Sequence, residues 1–155
     1  MPEIYEKRTR IPAPARTVFA WHESPDALRS LIPPRDPVKV VRQTGGVRDG
    51  AVVVLRIGYW PFTIRWVALH QNYIPGKQFT DIQQKGPFRS WEHTHTILPD
   101  GAQACILIDH VEYELPFGIL GRLLLPLVRR KLKAMFSWRH QVTYDANCGA
   151  AIPAS

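Results

Sequence analysis

Residues 79–120 read FTDIQQKGPFRSWEHTHTILPDGAQACILIDHVEYELPFGIL, and the punctuation of this stretch decides the fold. Gly86-Pro87 and Pro99-Asp100-Gly101 interrupt runs in which apolar and polar residues alternate, and Pro116-Phe117-Gly118 closes the last run. Alternation is the period of a half-buried strand, and Gly and Pro at the breaks supply turn geometry. Three strands, 77–85, 88–98 and 102–115, therefore follow one another with no helix between them. Their neighbours must pair antiparallel, because a parallel pair needs a long crossover.

The same punctuation continues upstream. Thr44-Gly45-Gly46 with Asp49-Gly50, then Tyr59-Trp60-Pro61, then Pro75-Gly76 delimit strands 38–43, 51–58 and 62–73. Earlier still, residues 3–11 form a charged extended strand. Pro12 and Pro14 end it, and Pro14 suits the first turn of a short helix over ARTVFAWHE, residues 15–23. Ser24 is the expected N-cap of a second short helix, 26–31, stopped by Pro33-Pro34. Downstream, Leu120, Leu124, Leu127, Val128, Leu132, Met135, Phe136 and Val142 recur at helical spacing, which predicts one long helix over 120–142. The expected class is α+β: a curved, seven-stranded antiparallel sheet with two short helices, gripped by the long C-terminal helix. Residues 1–146 form one domain in this reading, and 147–155 a disordered tail.

The chain has 155 residues, 45% apolar and 21% charged, a balance that excludes a disordered or collagen-like chain. Its net charge of +7 is localised. Arg122, Arg129, Arg130, Lys131, Lys133 and Arg139 lie in 119–141 without an acidic residue, and the rest of the chain carries 14 basic against 13 acidic groups. The excess is read as the solvated face of the last helix. Nucleic acid is not an expected partner, since the aromatic residues point inward. A lipid-transfer or membrane-surface module working through the basic helix is the least favoured alternative. The longest apolar run, 117–128, is broken by Arg122 and Pro126 and is too short to span a bilayer. No export signal opens the sequence, Cys105 and Cys148 have no metal-ligand spacing, and a cytoplasmic protein with reduced thiols is expected. Phosphate-loop, dinucleotide, serine-elbow and HExxH motifs are absent.

Three segments carry a family resemblance: IPAPARTVFAWHESPDALRSLIPP (11–34), FTDIQQKGPFRSWEHTH (79–95) and DHVEYELPFGILG (109–121). Over residues 3–144 the chain resembles the START-like, or SRPBCC helix-grip, superfamily. That group includes the birch-pollen allergen, lipid-transfer START domains and bacterial polyketide cyclase/dehydrase-like proteins. The resemblance implies a hydrophobic pocket for a small organic ligand, and names no substrate.

Strand parity sorts the side chains. Phe62, Ile64, Trp66 and Ala68 share the inward face of one strand, and Phe79, Asp81 and Gln83 that of the next. Trp91, His93, His95 and Ile97 follow, then Cys105, Leu107, Asp109, Val111, Tyr113 and Leu115. The expected cavity wall thus has His93, His95, Asp81, Asp109 and Tyr113 as its chemical groups. Its contact surface is Trp66, Phe79, Gln83, Trp91, Leu107 and Val111, with Leu124, Val128 and Met135 from the helix. Buried carboxylates require partners, and an imidazole is the partner whose charge follows the site.

Three uses of such a cluster remain open: a structural network, ligand positioning, or acid–base catalysis of cyclase, dehydratase or lyase type. Which residue faces Asp109 depends on the turn after Leu98. A loop closed by Pro99 and Gln103 places His93 there; one closed by Leu98 and Ala102 places Trp91; a two-residue Asp-Gly loop places Glu92. No cofactor or metal is expected, since two histidines at i, i+2 arise often in strands. The expected partner is a hydrophobic or aromatic small molecule, with monomer and homodimer both open.

Overall fold

The computed structural model describes residues 1–149. Its strands are β1 (Glu3–Ile11), β2 (Val38–Thr44), β3 (Val52–Tyr59), β4 (Phe62–Ile74), β5 (Gln78–Lys85), β6 (Ser90–Pro99) and β7 (Cys105–Glu114). They form one antiparallel sheet in the order β1-β7-β6-β5-β4-β3-β2. Successive strands are neighbours throughout, as short turns demand, and β1 pairs with the last strand. Helices α1 (Ala15–Glu23) and α2 (Ala27–Ser30) carry the chain from β1 to the opposite edge. Register shifts at Val40/Arg42, Val67/Ala68 and Gln71/Ile74 each add backbone to one strand of a pair, which bends the sheet. The α+β helix-grip architecture is present.

Three local expectations are corrected. Ser24 does not cap α2; it ends α1, its backbone N–H donating to the Trp21 carbonyl at 3.0 Å, and Asp26 precedes α2. The terminal helix is two helices, α3 (Gly118–Leu123) and α4 (Leu125–Cys148), with Leu124 between them and Pro126 in the first turn of α4. Proline is tolerated there because that turn's N–H groups have no intrahelical partner. Gly121 permits the joint, since a Cβ at that position would collide with the Pro116 carbonyl. Leu120, Leu124 and Leu127 face solvent, at 70%, 54% and 65% exposure, so they do not cover the sheet. Asn147 and Cys148, expected in the tail, close α4. Residues 150–155 of that tail lie outside the described residues.

The described residues form two apolar clusters in the interior. One, beneath α1, gathers Ile11, Val18, Phe19, Phe79, Ile97 and Leu107; the other, beneath α4, gathers Trp91, Val111, Tyr113, Leu132 and Phe136. Two imidazoles join them. His95 stacks on Phe79 with ring centroids 4.3 Å apart, and His93 meets Phe136 edge-on at 5.0 Å. A polar seam therefore runs through the core where the two halves meet.

Candidate functional site

β6 presents Trp91, His93, His95 and Ile97 on its inner face, all buried, as parity requires. β7 presents Cys105, Leu107, Asp109, Val111 and Tyr113, also buried. Their register differs from all three alternatives: Pro99 pairs with Cys105 across a five-residue connection, 100–104. The Asp100 N–H donates to the Ala104 carbonyl at 2.9 Å, and Gly101 takes φ +76°, a region glycine enters without steric cost. His95 consequently stands opposite Asp109 and His93 opposite Val111, while Asp81 of β5 pairs with His93.

This places two imidazoles between two carboxylates. His93 Nε2 donates to Asp109 Oδ1 at 2.8 Å, and its Nδ1 lies 3.1 Å from Asp81 Oδ2. His95 Nε2 donates to Asp81 Oδ2 at 3.3 Å, and its Nδ1 lies 2.8 Å from Asp109 Oδ1. Burial by itself would raise both carboxyl pKa values. The adjacent imidazoles outweigh burial, holding Asp81 (His93 foremost) and Asp109 (His95 foremost) well below the carboxylate range. Burial likewise opposes charge on His95, yet Asp109 and Asp81 raise its pKa to about 9. His95 is therefore an acid at neutral pH rather than a ready base.

Four participants escaped the sequence reading. His140 of α4 donates from Nε2 to Asp109 Oδ2 at 2.7 Å, and its Nδ1 lies 2.6 Å from the Thr9 hydroxyl. His22 of α1 donates from Nδ1 to the Val18 carbonyl at 2.8 Å, which leaves Nε2 as its acceptor. His70 of β4 is buried, and burial foremost lowers its pKa. Arg139, read as part of the solvated basic face, is half-buried and its pKa is lowered, burial being the chief cause. Its position three residues after the buried Phe136 was the available signal, since i and i+3 share a helix face. Two more cations of that face are paired: Arg129 with Glu3 at 2.6 Å and Lys131 with Asp36.

A cavity of about 310 Å³ lies between the sheet, α2 and α4. Trp66, Phe79, Trp91 and Met135 line it, as expected, together with Asp81, His93 and His95. Asp109 sits behind the histidines and is not part of the wall. Tyr113, Leu107 and Val111 are packed into the two apolar clusters. Gln83 is spent on the β5–β6 turn, donating from Nε2 to the Phe88 carbonyl at 2.8 Å and accepting from the Phe88 N–H. Val128 packs on the α4 cluster, and Leu124 is exposed. Phe62 and Ile64, at the exposed end of β4, are also outside the wall at 87% and 46% exposure. His70 Nδ1, Trp91 Nε1 and Arg139 Nε are buried without a hydrogen-bond partner among the described residues, and all three residues line this cavity.

A curved sheet gripped by a C-terminal helix, with a cavity between them, defines a helix-grip domain. The sequence matches the family described as polyketide cyclase/dehydrase and lipid transport over residues 11–137, and the chain belongs to that family. No curated protein matched it by sequence. Among solved structures it is similar to norcoclaurine synthase from Thalictrum flavum in complex with dopamine and hydroxybenzaldehyde (12% identity, TM-score 0.73, 98% of this chain and 90% of that one). It is similar also to a START superfamily protein from Mycobacterium smegmatis (14%, 0.68, 93% and 96%). A third is the Zhui aromatase/cyclase of a Streptomyces species (12%, 0.68, 98% and 100%). No helix among the described residues is long and apolar enough to cross a membrane.

Proposed function

We propose that the chain binds a small, largely apolar or aromatic molecule bearing an oxygen acceptor, held between the sheet and α4. One observation carries the reading: the unpartnered buried nitrogens of Trp91, His70 and Arg139 all belong to the wall of one apolar-lined cavity. Trp91 Nε1 and Arg139 Nε are donors, and a buried donor without a partner costs about 1–3 kcal/mol, which a ligand acceptor recovers; His70 Nδ1 donates or accepts according to its tautomer. At about 310 Å³ the cavity suits one or two rings, at the small end of ligand sites. The aromatic compounds held by the Thalictrum flavum enzyme are of this kind.

The test is native mass spectrometry of the purified protein, followed by thermal-shift titration with paired aromatic carboxylates and their uncharged hydrocarbons. The carboxylates should bind at least tenfold tighter, and Arg139→Gln should abolish the difference. Equal affinity for both members of each pair would sink the reading. A catalytic use of cyclase, dehydratase or lyase type is supported by the place of His95 on the cavity wall between Asp81 and Asp109, which raise its pKa. In that use the Nε2 proton of His95, whose 3.3 Å contact with Asp81 is the longer of its two, leaves Asp81 for a ligand oxygen, and His95→Gln loses turnover while keeping ligand affinity.

A further inference from the structure

We propose that Asp81, His93 and His95 form a binding site for a divalent transition-metal ion of the zinc type. The argument is independent of the organic ligand and begins with ligand spacing. One donor atom from each residue lies within 4.8 Å of the others. Asp81 Oδ2 is 3.1 Å from His93 Nδ1 and 3.3 Å from His95 Nε2. Metal bonds of about 2.0–2.1 Å in tetrahedral arrangement separate neighbouring ligand atoms by roughly 3.3–3.4 Å. Both edges are thus close to the required length with the side chains where they stand. Two of the donors, Asp81 and His93, are a directly opposed cross-strand pair, so the sheet fixes the spacing.

The surroundings match what metal-bound histidines need. A ligating imidazole ordinarily donates its other N–H to a carboxylate, which sets tautomer and ring orientation. Here Asp109 Oδ1 lies 2.8 Å from the far nitrogen of each ring, His93 Nε2 and His95 Nδ1. Asp109 is in turn anchored by His140. All three proposed ligands line the cavity, from which a fourth ligand would come. Two histidines and one carboxylate with an open position is the ligand set of catalytic zinc and non-haem iron sites.

The experiment titrates chelator-treated full-length protein with Zn²⁺ by calorimetry, and with Co²⁺ by visible absorption. One equivalent should bind with micromolar or tighter Kd, and the Co²⁺ spectrum should show the intense bands of four- or five-fold coordination. Asp81→Asn and His95→Gln, checked for folding by circular dichroism, should each weaken binding more than about 100-fold. His110→Gln and Cys148→Ser, which alter donors elsewhere, should bind as the parent does. Should the site variants fail to fold, the ring-nitrogen NMR signals of the unaltered protein decide. Zn²⁺ must shift those of His93 and His95 and leave His110 in place. Absence of binding below about 1 mM, undiminished binding in a folded His95→Gln protein, or unmoved His93 and His95 signals would each overturn the proposal.

Discussion

Asp109 is 3% exposed, and the rings of His93, His95 and His140 all converge on its carboxylate. Removing one partner of a buried charged network strands the others, at a cost of about 3–5 kcal/mol. Asp109→Ala should lose stability of that order in urea denaturation, and a loss under about 1 kcal/mol would show that the network is incidental to folding. His22 supplies a pH test. Burial, the main cause, holds its folded pKa at about 4, against 6.5 for a free imidazole. Between those values the unfolded chain binds a proton that the folded one refuses, so stability falls as pH drops from about 6.5 to 4. The depressed carboxyls of Asp81 and Asp109 extend the loss to lower pH, because their stabilisation disappears only as they protonate. His22→Gln should flatten the upper window by on the order of 3 kcal/mol. Parallel curves for the two proteins would refute the assignment.

At the scale of elements, the terminal helix shows where periodicity misleads. An apolar repeat from Leu120 to Val142 reads as one helix, but the repeat continues across a break that Gly121 and Pro126 permit. Leu132, 3% exposed, packs with Phe136 and Trp91, whereas Leu124 is 54% exposed. Leu132→Ala should therefore cost about 2–5 kcal/mol. Leu124→Ser should stay within about 0.5 kcal/mol. A comparable loss in both, measured by chemical denaturation, would restore the single-helix reading. The strands were more legible, because a period of two assigns every side chain to a face once a few inward residues are known. Their register was not: the connection 100–104 pairs Pro99 with Cys105, a closure that no tight turn provides.

For the whole molecule, the cavity ties stability to ligand. A compound binding only the folded state at a hundred times its Kd adds about 2.7 kcal/mol. For a domain of this size that raises Tm by roughly 5–10 °C. Calorimetric scans with the aromatic carboxylates should show this shift, and the Arg139→Gln protein should show less than half of it. A shift retained in full by that variant would move the ligand away from α4.

The sequence by itself determined the order of elements, the antiparallel meander, and the inward parity of Asp81, His93, His95 and Asp109, because these follow from local turn chemistry and alternation. Only the tertiary structure decided that His95 faces Asp109, that His140 completes the cluster, and that Arg139 turns into the cavity while Tyr113 and Gln83 do not line it. Those outcomes depend on register and on the angle at which α4 meets the sheet. Both are set by contacts between residues far apart in the chain, and a one-residue slip or a small rotation moves a side chain by more than a hydrogen bond's length.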